Sequence, residues 1–103
     1  MVLVPRQRTY WVYIMTNRYS SVYYIGMTNN IQRRMWEHRS RQSPTSFTSR
    51  YNVFKLVYAE TYSTPMAAIR REKKLKRWKR AWKKALIEKQ NPGYQDLLPD
   101  LYP

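Results

Sequence analysis

Several kinds of residue are missing or scarce in this sequence of 103 residues, and each shortage excludes something. There is no cysteine, which rules out a disulfide framework, a thiolate metal site and a cysteine nucleophile. No apolar run approaches the ~18 residues of a membrane-spanning helix. The start, MVLVPRQRTYW, lacks the apolar core and cleavage site of a signal peptide. We therefore expect a soluble, cytoplasmic protein with no membrane partner.

Acidic residues are also scarce. Six Asp and Glu stand against twenty Lys and Arg, so the formal net charge is +14 at pH 7. Such a charge repels itself unless a polyanion lies nearby. Neutralising nucleic-acid phosphates releases counterions and drives binding at any base sequence, which makes nucleic acid the expected partner. An anionic membrane surface or a ribosomal context are the alternatives that the charge leaves open.

The order of predicted elements indicates one small α+β domain over residues 1–103, with its core at about 9–90 and an irregular C-terminal tail at 91–103. Runs of β-branched and aromatic residues predict strands at 9–15, 22–25 and 53–62. Gly26 is expected to end the second strand, where a side chain would be in the way or a positive φ is needed. Helices are predicted from a cap among 28–30 to His38, and from Thr64 to about Lys89 with a possible break at 78–80. An exposed loop is expected at 39–52. The order β-β-α-β-α-α describes an antiparallel sheet backed by helices.

The segment 70–84 is strongly basic and contains a single acid, Glu72. Apolar residues spaced three and four apart should turn one face of this helix to the sheet. These residues are Ala68, Leu75, Trp78, Trp82, Ala85 and Leu86. Glu72 falls on the same face, where a carboxylate is costly unless a positive charge meets it. Its partner is either Lys76 one turn on, an arginine across the fold, or Mg²⁺, which needs few protein ligands beside a phosphate.

Arg34 and His38 are four residues apart and therefore share one face of the first predicted helix. His38 is the only histidine of the chain, and a lone histidine is more often a surface or packing residue than a catalyst. An arginine one turn back and tyrosine-rich strands beside it favour a functional role. Arg33 points elsewhere, as a solvated or phosphate-positioning charge. Met35 and Trp36 are predicted in the core.

Tyrosines are frequent on the two strands of the predicted hairpin. If Tyr13 and Tyr24 share a face with Arg34, His38 and Glu72, then two phenols, a guanidinium, an imidazole and a carboxylate converge. A nearby arginine and a bound divalent metal would lower the pKa of a phenol from its ordinary value of about 10. One tyrosine would then be a plausible general base for water. The alternative is that the hairpin tyrosines only cover an amphipathic sheet.

Several motifs follow one another in a distinctive order. They are WVY at 11–13, YIG at 24–26, the helix TNNIQRRMWEH at 28–38, REKKLK at 71–76, LIE at 86–88 and NP at 91–92. Together they resemble the GIY-YIG nuclease superfamily, and in particular its small stand-alone bacterial members. The resemblance covers about 10–98, nearly the whole chain. No single triplet is specific, but the set in this order is.

The resemblance implies a DNA endonuclease that depends on Mg²⁺ or Mn²⁺, with a three-stranded antiparallel sheet flanked by helices. It implies that Tyr13 and Tyr24 are the motif tyrosines, that Arg34 holds the scissile phosphate, that His38 assists a tyrosine in activating water, and that Glu72 is the single metal-binding carboxylate. These five would form the catalytic site. Phosphate or DNA contacts are expected from Gly26, Arg33, Lys73, Lys76, Arg77, Lys79, Arg80 and Asn91.

The sequence departs from the family pattern at three places. Trp11 replaces the glycine of the first triplet, where only the tyrosine has a chemical role. Met27 stands where some relatives have a lysine. Many relatives carry an asparagine near the C-terminus at the phosphate, a position that either Asn91 or Gln95 takes here.

A second hypothesis is a non-catalytic nucleic-acid-binding protein that uses the basic helix 70–84 and stacking aromatic residues. Pure binding has no need of an inward carboxylate, so the intact set of candidate residues favours the enzyme. No small-molecule substrate is expected. Single- or double-stranded DNA and the oligomeric state are left open by the sequence.

Overall fold

A computed structural model describes residues 8–40 and 51–101. Its elements are, in chain order, β1 (Tyr10–Thr16), β2 (Tyr23–Thr28), α1 (Ile31–Arg39), β3 (Lys55–Tyr62), α2 (Pro65–Arg77), α3 (Arg80–Gln90) and α4 (Leu98–Leu101). The strands form one antiparallel sheet in the order β2-β1-β3, which confirms the predicted α+β class. Of the predicted loop at 39–52, residues 41–50 lie outside the described ranges. None of the helices in those ranges has the length and apolar content needed to cross a bilayer.

Two of the helices, α1 and α2, begin after capping residues. The Asn30 side chain accepts a hydrogen bond from the Arg33 backbone N–H at 3.0 Å, and Thr64 accepts one from Ala67 in the same way at 3.3 Å. The basic segment is interrupted between α2 and α3, because the backbone at Trp78 is extended, with ψ 147°. The predicted cap region, the Thr64 start and the break are therefore confirmed.

The sheet is covered on both faces. On one face α1 and α4 pack against the sheet through a core of Tyr13, Met15, Ile31, Met35, Val53, Leu56 and Leu98. On the other face α2 and α3 pack through a core of Val12, Ile14, Ile25, Val57, Tyr58, Ala68, Leu75 and Ile87. Successive side chains of a strand point to opposite faces, so Tyr13 belongs to the α1 face while α2 lies on the opposite face.

Four predictions about local structure are wrong. β2 continues through Gly26 to Thr28, and no glycine of the described ranges has a positive φ. The side chain of Trp36 is 57% exposed, because α1 turns Ile31, Met35 and His38 inward and Trp36 falls off that face. Trp82 and Ala85 are exposed, since the break before α3 ends the helical period that aligned them with α2. The tail is not wholly irregular, because it contains α4.

Candidate active site

Gly26 makes room for the ring of Tyr13. The two residues lie opposite each other in the pairing of β1 with β2. A Cβ atom on residue 26 would overlap the Tyr13 hydroxyl and lie 2.6 Å from its Cζ. The glycine of the YIG triplet is thus required by the close approach of a phenol, and backbone freedom is not the reason.

Two side chains of α1 meet this phenol. Arg34 donates from Nε to the Tyr13 hydroxyl at 3.3 Å, and that hydroxyl lies 3.1 Å from His38 Nε2. Tyr24 joins through ring contacts, with its centroid 5.1 Å from that of His38 and 6.2 Å from that of Tyr13. The structure therefore brings together four of the five residues that the sequence singled out, where β1, β2 and α1 meet.

Burial determines the ionisation of this cluster. Tyr13 is fully buried, and burial raises the pKa of its phenol by more than the hydrogen bond from Arg34 lowers it. Burial, and secondly the charge of Arg34, lower the pKa of His38 to about 4. Both groups are therefore neutral at pH 7. Arg34 by itself does not produce the lowered phenol pKa expected from the sequence, because Tyr13 is excluded from water.

A line of hydrogen bonds joins three of these side chains. The Tyr13 oxygen accepts from Nε of Arg34 and lies within hydrogen-bond distance of Nε2 of the neutral His38, where the direction of the bond depends on which ring nitrogen carries the proton. This chain of hydrogen bonds holds the guanidinium of Arg34 at the edge of the cluster.

Glu72, the fifth candidate, lies on α2 and so belongs to the layer on the opposite face of the sheet from Tyr13. Its Oε1 is 2.7 Å from Nζ of Lys76, which is one of the partners that the sequence left open. A cavity of about 280 Å³ at the edge strand β2 connects the two layers. It is lined by Tyr23, Tyr24, Ile25, Lys76 and Lys83. Lys76 and Tyr24 therefore border one space.

A metal ion at Glu72 would have fewer than three His, Cys, Asp or Glu ligands from the described part of the chain. No group of three or more His, Cys, Asp or Glu side chains suited to a metal occurs among residues 8–40 and 51–101. Mg²⁺ accepts such a site, since it keeps several waters and binds through one or two carboxylates together with substrate phosphates. The donor set fits a divalent metal on condition that the ammonium group of Lys76 leaves the Glu72 carboxylate.

Comparison with known proteins establishes the family. The GIY-YIG catalytic domain matches residues 9–85. The chain belongs to the GIY-YIG family. It is 38% identical over 69 residues to a UPF0213 protein of Syntrophus aciditrophicus (strain SB), which covers 67% of this chain and 78% of that protein. It is also similar to the solution NMR structure of the UPF0213 protein BH0048 from Bacillus halodurans, with a TM-score of 0.54 and 26% identity over 85% of this chain and 92% of that one.

GIY-YIG proteins form a family of nucleases, so membership implies a nucleic-acid substrate. In this GIY-YIG chain the cluster of Tyr13, Tyr24, Arg34 and His38 lies within the matched region, as does Glu72.

The remaining residues predicted to contact DNA fall into two groups. Lys73, Lys76, Arg77, Lys79 and Arg80 are exposed on α2, at its C-terminal break and at the start of α3. Arg33 is exposed too, and pairs at 3.9 Å with Glu37.

Asn91 does not lie at a surface where DNA binds, because it is only 7% exposed. Its amide donates to the backbone oxygens of Val57 and Gln95, at 3.0 and 2.9 Å, and accepts from the Gln95 N–H at 3.0 Å. These bonds hold the start of the tail against β3, and they use both amide hydrogens of Asn91, so that a contact of this amide with a phosphate would require them to break. Gln95 is exposed.

Sequence reasoning missed a second polar cluster, centred on Glu60 of β3. Its carboxylate accepts hydrogen bonds from Tyr58 at 2.5 Å, Tyr62 at 2.8 Å and Arg71 of α2 at 2.6 Å. Burial alone would raise the pKa of Glu60, but these bonds together lower it. The alternation Tyr-Ala-Glu-Thr-Tyr at 58–62 was a signal for this cluster. The ion pair between Glu60 and Arg71 holds α2 against the sheet at the residue that precedes Glu72.

The neutral His38 makes the stability of this GIY-YIG protein depend on pH. The folded pKa is about 4, whereas a histidine in an unfolded chain titrates near 6.5, so only the unfolded chain takes up a proton between these values. The contribution of His38 is complete above pH 6.5 and should be lost as the pH falls towards 4, by on the order of 3 kcal/mol. Urea unfolding across this range should therefore show a flatter pH profile for His38→Gln than for wild type. Acidic groups titrate in both proteins, so their contributions cancel in the comparison. Parallel pH profiles of wild type and His38→Gln would therefore contradict a neutral buried imidazole.

Proposed function

We propose that this GIY-YIG protein is a DNA endonuclease that hydrolyses phosphodiester bonds with the help of one divalent metal, Mg²⁺ or Mn²⁺. The observation that carries the proposal is the convergence of Tyr13, Tyr24, Arg34 and His38 at one place, within a chain of a nuclease family. The net charge of +14 supports a polyanionic substrate.

In this proposal Arg34 binds the scissile phosphate. Its guanidinium is planar and presents several N–H donors, which suits the oxygens of a phosphate. Tyr13 uses Nε of that group, so the plane of the guanidinium is set before the substrate arrives. A charge held in place in this way stabilises the negative charge that develops in the transition state and needs little reorganisation.

In this proposal Tyr24 and His38 activate the attacking water. Tyr24 is half-buried and lines the open cavity at the edge of β2, whereas Tyr13 is buried, so Tyr24 is the phenol that water reaches. His38 is neutral and in ring contact with Tyr24, and a neutral imidazole is able to accept a proton. Tyr13 keeps its proton and positions Arg34 and His38.

Glu72 would hold the metal, whose chemistry is to neutralise charge on the phosphate and the leaving oxygen. The carboxylate then exchanges one cation for another, because Lys76 is its partner in the structure. The released ammonium group lies at the cavity that Tyr24 also lines, where it is available to a phosphate.

Cleavage of a supercoiled plasmid and of a single-stranded oligonucleotide, each with Mg²⁺ or Mn²⁺ and with EDTA, tests the proposal. Wild type should cut only with metal, and Glu72→Gln should cut at least about 100-fold more slowly, since the ligand that places the metal is lost. DNA binding in EDTA should be equal or tighter for this variant, because a negative charge has been removed. Glu37→Gln is the matched control, a carboxylate of α1 that pairs only loosely with Arg33, and it should cut like wild type.

The second candidate function is binding without catalysis. It is favoured by the Glu72–Lys76 pair, which neutralises the carboxylate without a metal. A wild-type protein that binds DNA tightly but leaves both the plasmid and the single-stranded oligonucleotide intact in every metal tested would establish this function and overturn the endonuclease. Equal cutting by wild type and Glu72→Gln would instead remove Glu72 as the metal ligand, and cutting in EDTA would remove the metal from the proposed mechanism.

A further inference from the structure

Three cavities follow one another from the edge strand β2 to the loop between β1 and β2, and each shares a lining residue with the next. The first is the 280 Å³ cavity at Tyr24, which is also lined by Tyr23. The second, of about 340 Å³, shares Tyr23 and extends to Tyr19. The third, of about 380 Å³, shares Tyr19 and lies at the loop between β1 and β2. We call this third one the hairpin-end cavity; it is lined by Asn17, Arg18, Tyr19, Tyr51, Asn52 and Phe54.

The hairpin-end cavity is unusual for its exposed aromatic rings. Tyr19 is 79% exposed, Phe54 44% and Tyr51 43%. The guanidinium of Arg18 lies 5.7 Å from the centroid of the Tyr19 ring. None of its described lining residues is acidic. Rings and a cation around an open space suit a flat, electron-rich ligand attached to a negatively charged chain.

The loop that carries Tyr19 is braced. The Asn17 side chain accepts from the Ser21 N–H at 2.9 Å and donates to the Ser21 hydroxyl at 2.7 Å. Arg80 of α3 donates to the backbone oxygen of Ser20 at 2.7 Å. Ser20 itself has φ 54°, in the left-handed region. The exposed ring therefore stands on a fixed turn, which lowers the entropic cost of binding a ligand.

We propose that the hairpin-end cavity binds an unpaired nucleobase of the DNA strand that is cut, so that the substrate is single-stranded next to the scissile phosphate. Stacking on an aromatic ring needs a free base face, which a base inside a duplex does not offer. The inference rests on the proposed function for the position of the scissile phosphate, but base binding by itself does not require cleavage.

The middle cavity supplies charge for the intervening phosphates. Arg80 lies over the ring of Tyr23, 4.4 Å from its centroid, and Lys84 lines the same cavity. Among the described lining residues these two cations face one acid, Glu88, which also accepts a hydrogen bond from Tyr94 at 3.4 Å, so the lining is net positive. Tyr19 and Tyr24 are five residues apart, so their Cα atoms are at most about 18 Å apart, a distance that a few nucleotides span.

Fluorescence anisotropy with a labelled oligothymidylate, in EDTA to prevent cutting, tests the base site. Tyr19→Ala should bind this strand roughly 5- to 100-fold more weakly, the range measured for loss of one base–aromatic stack. Tyr19→Phe retains the ring and should bind like wild type. An oligonucleotide of the same length with abasic sites in place of bases keeps every phosphate, so wild type and Tyr19→Ala should bind it equally. Tyr19 is largely exposed, and unchanged thermal melting will confirm that the variants fold.

Two binding results would overturn the inference. The first is an unchanged affinity of Tyr19→Ala for the oligothymidylate. The second is an equal loss of affinity for the abasic strand, which would make Tyr19 a phosphate contact. A wild-type dimer that Tyr19→Ala converts to monomer in sedimentation would also overturn it, since a second copy would then occupy the cavity. Plasmid cleavage reports separately on the proposed function. A protein that never cuts but shows the Tyr19 effect retains the base site, whereas one that cuts without that effect lacks it.

Discussion

Arg34→Ala is expected to reduce plasmid cleavage by at least about 100- to 1,000-fold, the loss seen when one positioned donor is removed from a developing oxyanion. DNA binding should change little, because nineteen of the twenty Lys and Arg remain. The large effect on rate follows from the position of Arg34, which is held by Tyr13 and faces the neutral His38. Single-turnover cleavage with metal and anisotropy without it separate the two quantities.

The neighbouring arginine is the matched control. Arg33 has the same charge on the same helix, but its side chain is 66% exposed and pairs with Glu37 at 3.9 Å. Arg33→Ala should therefore cut within about threefold of wild type, as expected for an exposed charge. Arg34→Lys retains the charge but loses the planar fork, and should recover little activity. Comparable losses in Arg33→Ala and Arg34→Ala would show that only the overall charge matters, and would contradict the proposed site.

Gly26→Ala should be the most damaging single methyl addition in the protein. The new Cβ would lie 2.6 Å from Cζ of Tyr13 and overlap its hydroxyl. Tyr13 is fully buried and joined to Arg34 and His38, so it has no space in which to move aside. We expect a loss of about 1–3 kcal/mol in the free energy of unfolding, and a melting temperature lower by roughly 4–8 °C for each kcal/mol. Cleavage should fall as well, because the displaced phenol no longer holds Arg34.

The second glycine of the chain supplies the control for this experiment. A Cβ on Gly93 would meet only Cγ of Gln95, at 3.7 Å, an ordinary contact. Gly93→Ala should therefore be neutral or slightly stabilising. In a Tyr13→Ala background the cost of Gly26→Ala should largely disappear, which a double-mutant cycle would measure as coupling. If Gly26→Ala is as mild as Gly93→Ala, or costs the same without the Tyr13 ring, the packing account of the YIG glycine is wrong.

Secondary structure was predictable from the sequence wherever local chemistry decides it. Asn30 and Thr64 are capping residues in front of helical segments, and β-branched and aromatic runs indicated the three strands. Prediction failed where a distant group decides. The sequence left two reasons for Gly26 open, lack of room for a side chain or a positive φ, and only the position of the Tyr13 ring shows that lack of room is the reason. Trp36 and Trp82 are apolar, but whether such residues are buried depends on which helix faces meet the sheet.

The candidate site divides in the same way. The spacing of Arg34 and His38 on one helix placed both on one face, because four residues make about one helical turn. Their meeting with Tyr13 joins residues more than twenty positions apart, and only the packing of α1 on the sheet produces it. The cluster around Glu60 forms only because α2 packs on the opposite face of the sheet from α1 and places Arg71 beside Glu60.

By itself, then, the sequence determined the family, the order of strands and helices, the excess positive charge, and the identities of the candidate residues. The tertiary structure decided which of these meet. It brought two phenols, Arg34 and His38 together and buried Asn91. In the other layer it paired Glu72 with Lys76 in a salt bridge. It also decided ionisation, because the pKa values of Tyr13 and His38 depend on exclusion from water. Local secondary structure depends on neighbouring residues, whereas contacts between distant side chains and their desolvation arise only when distant segments pack.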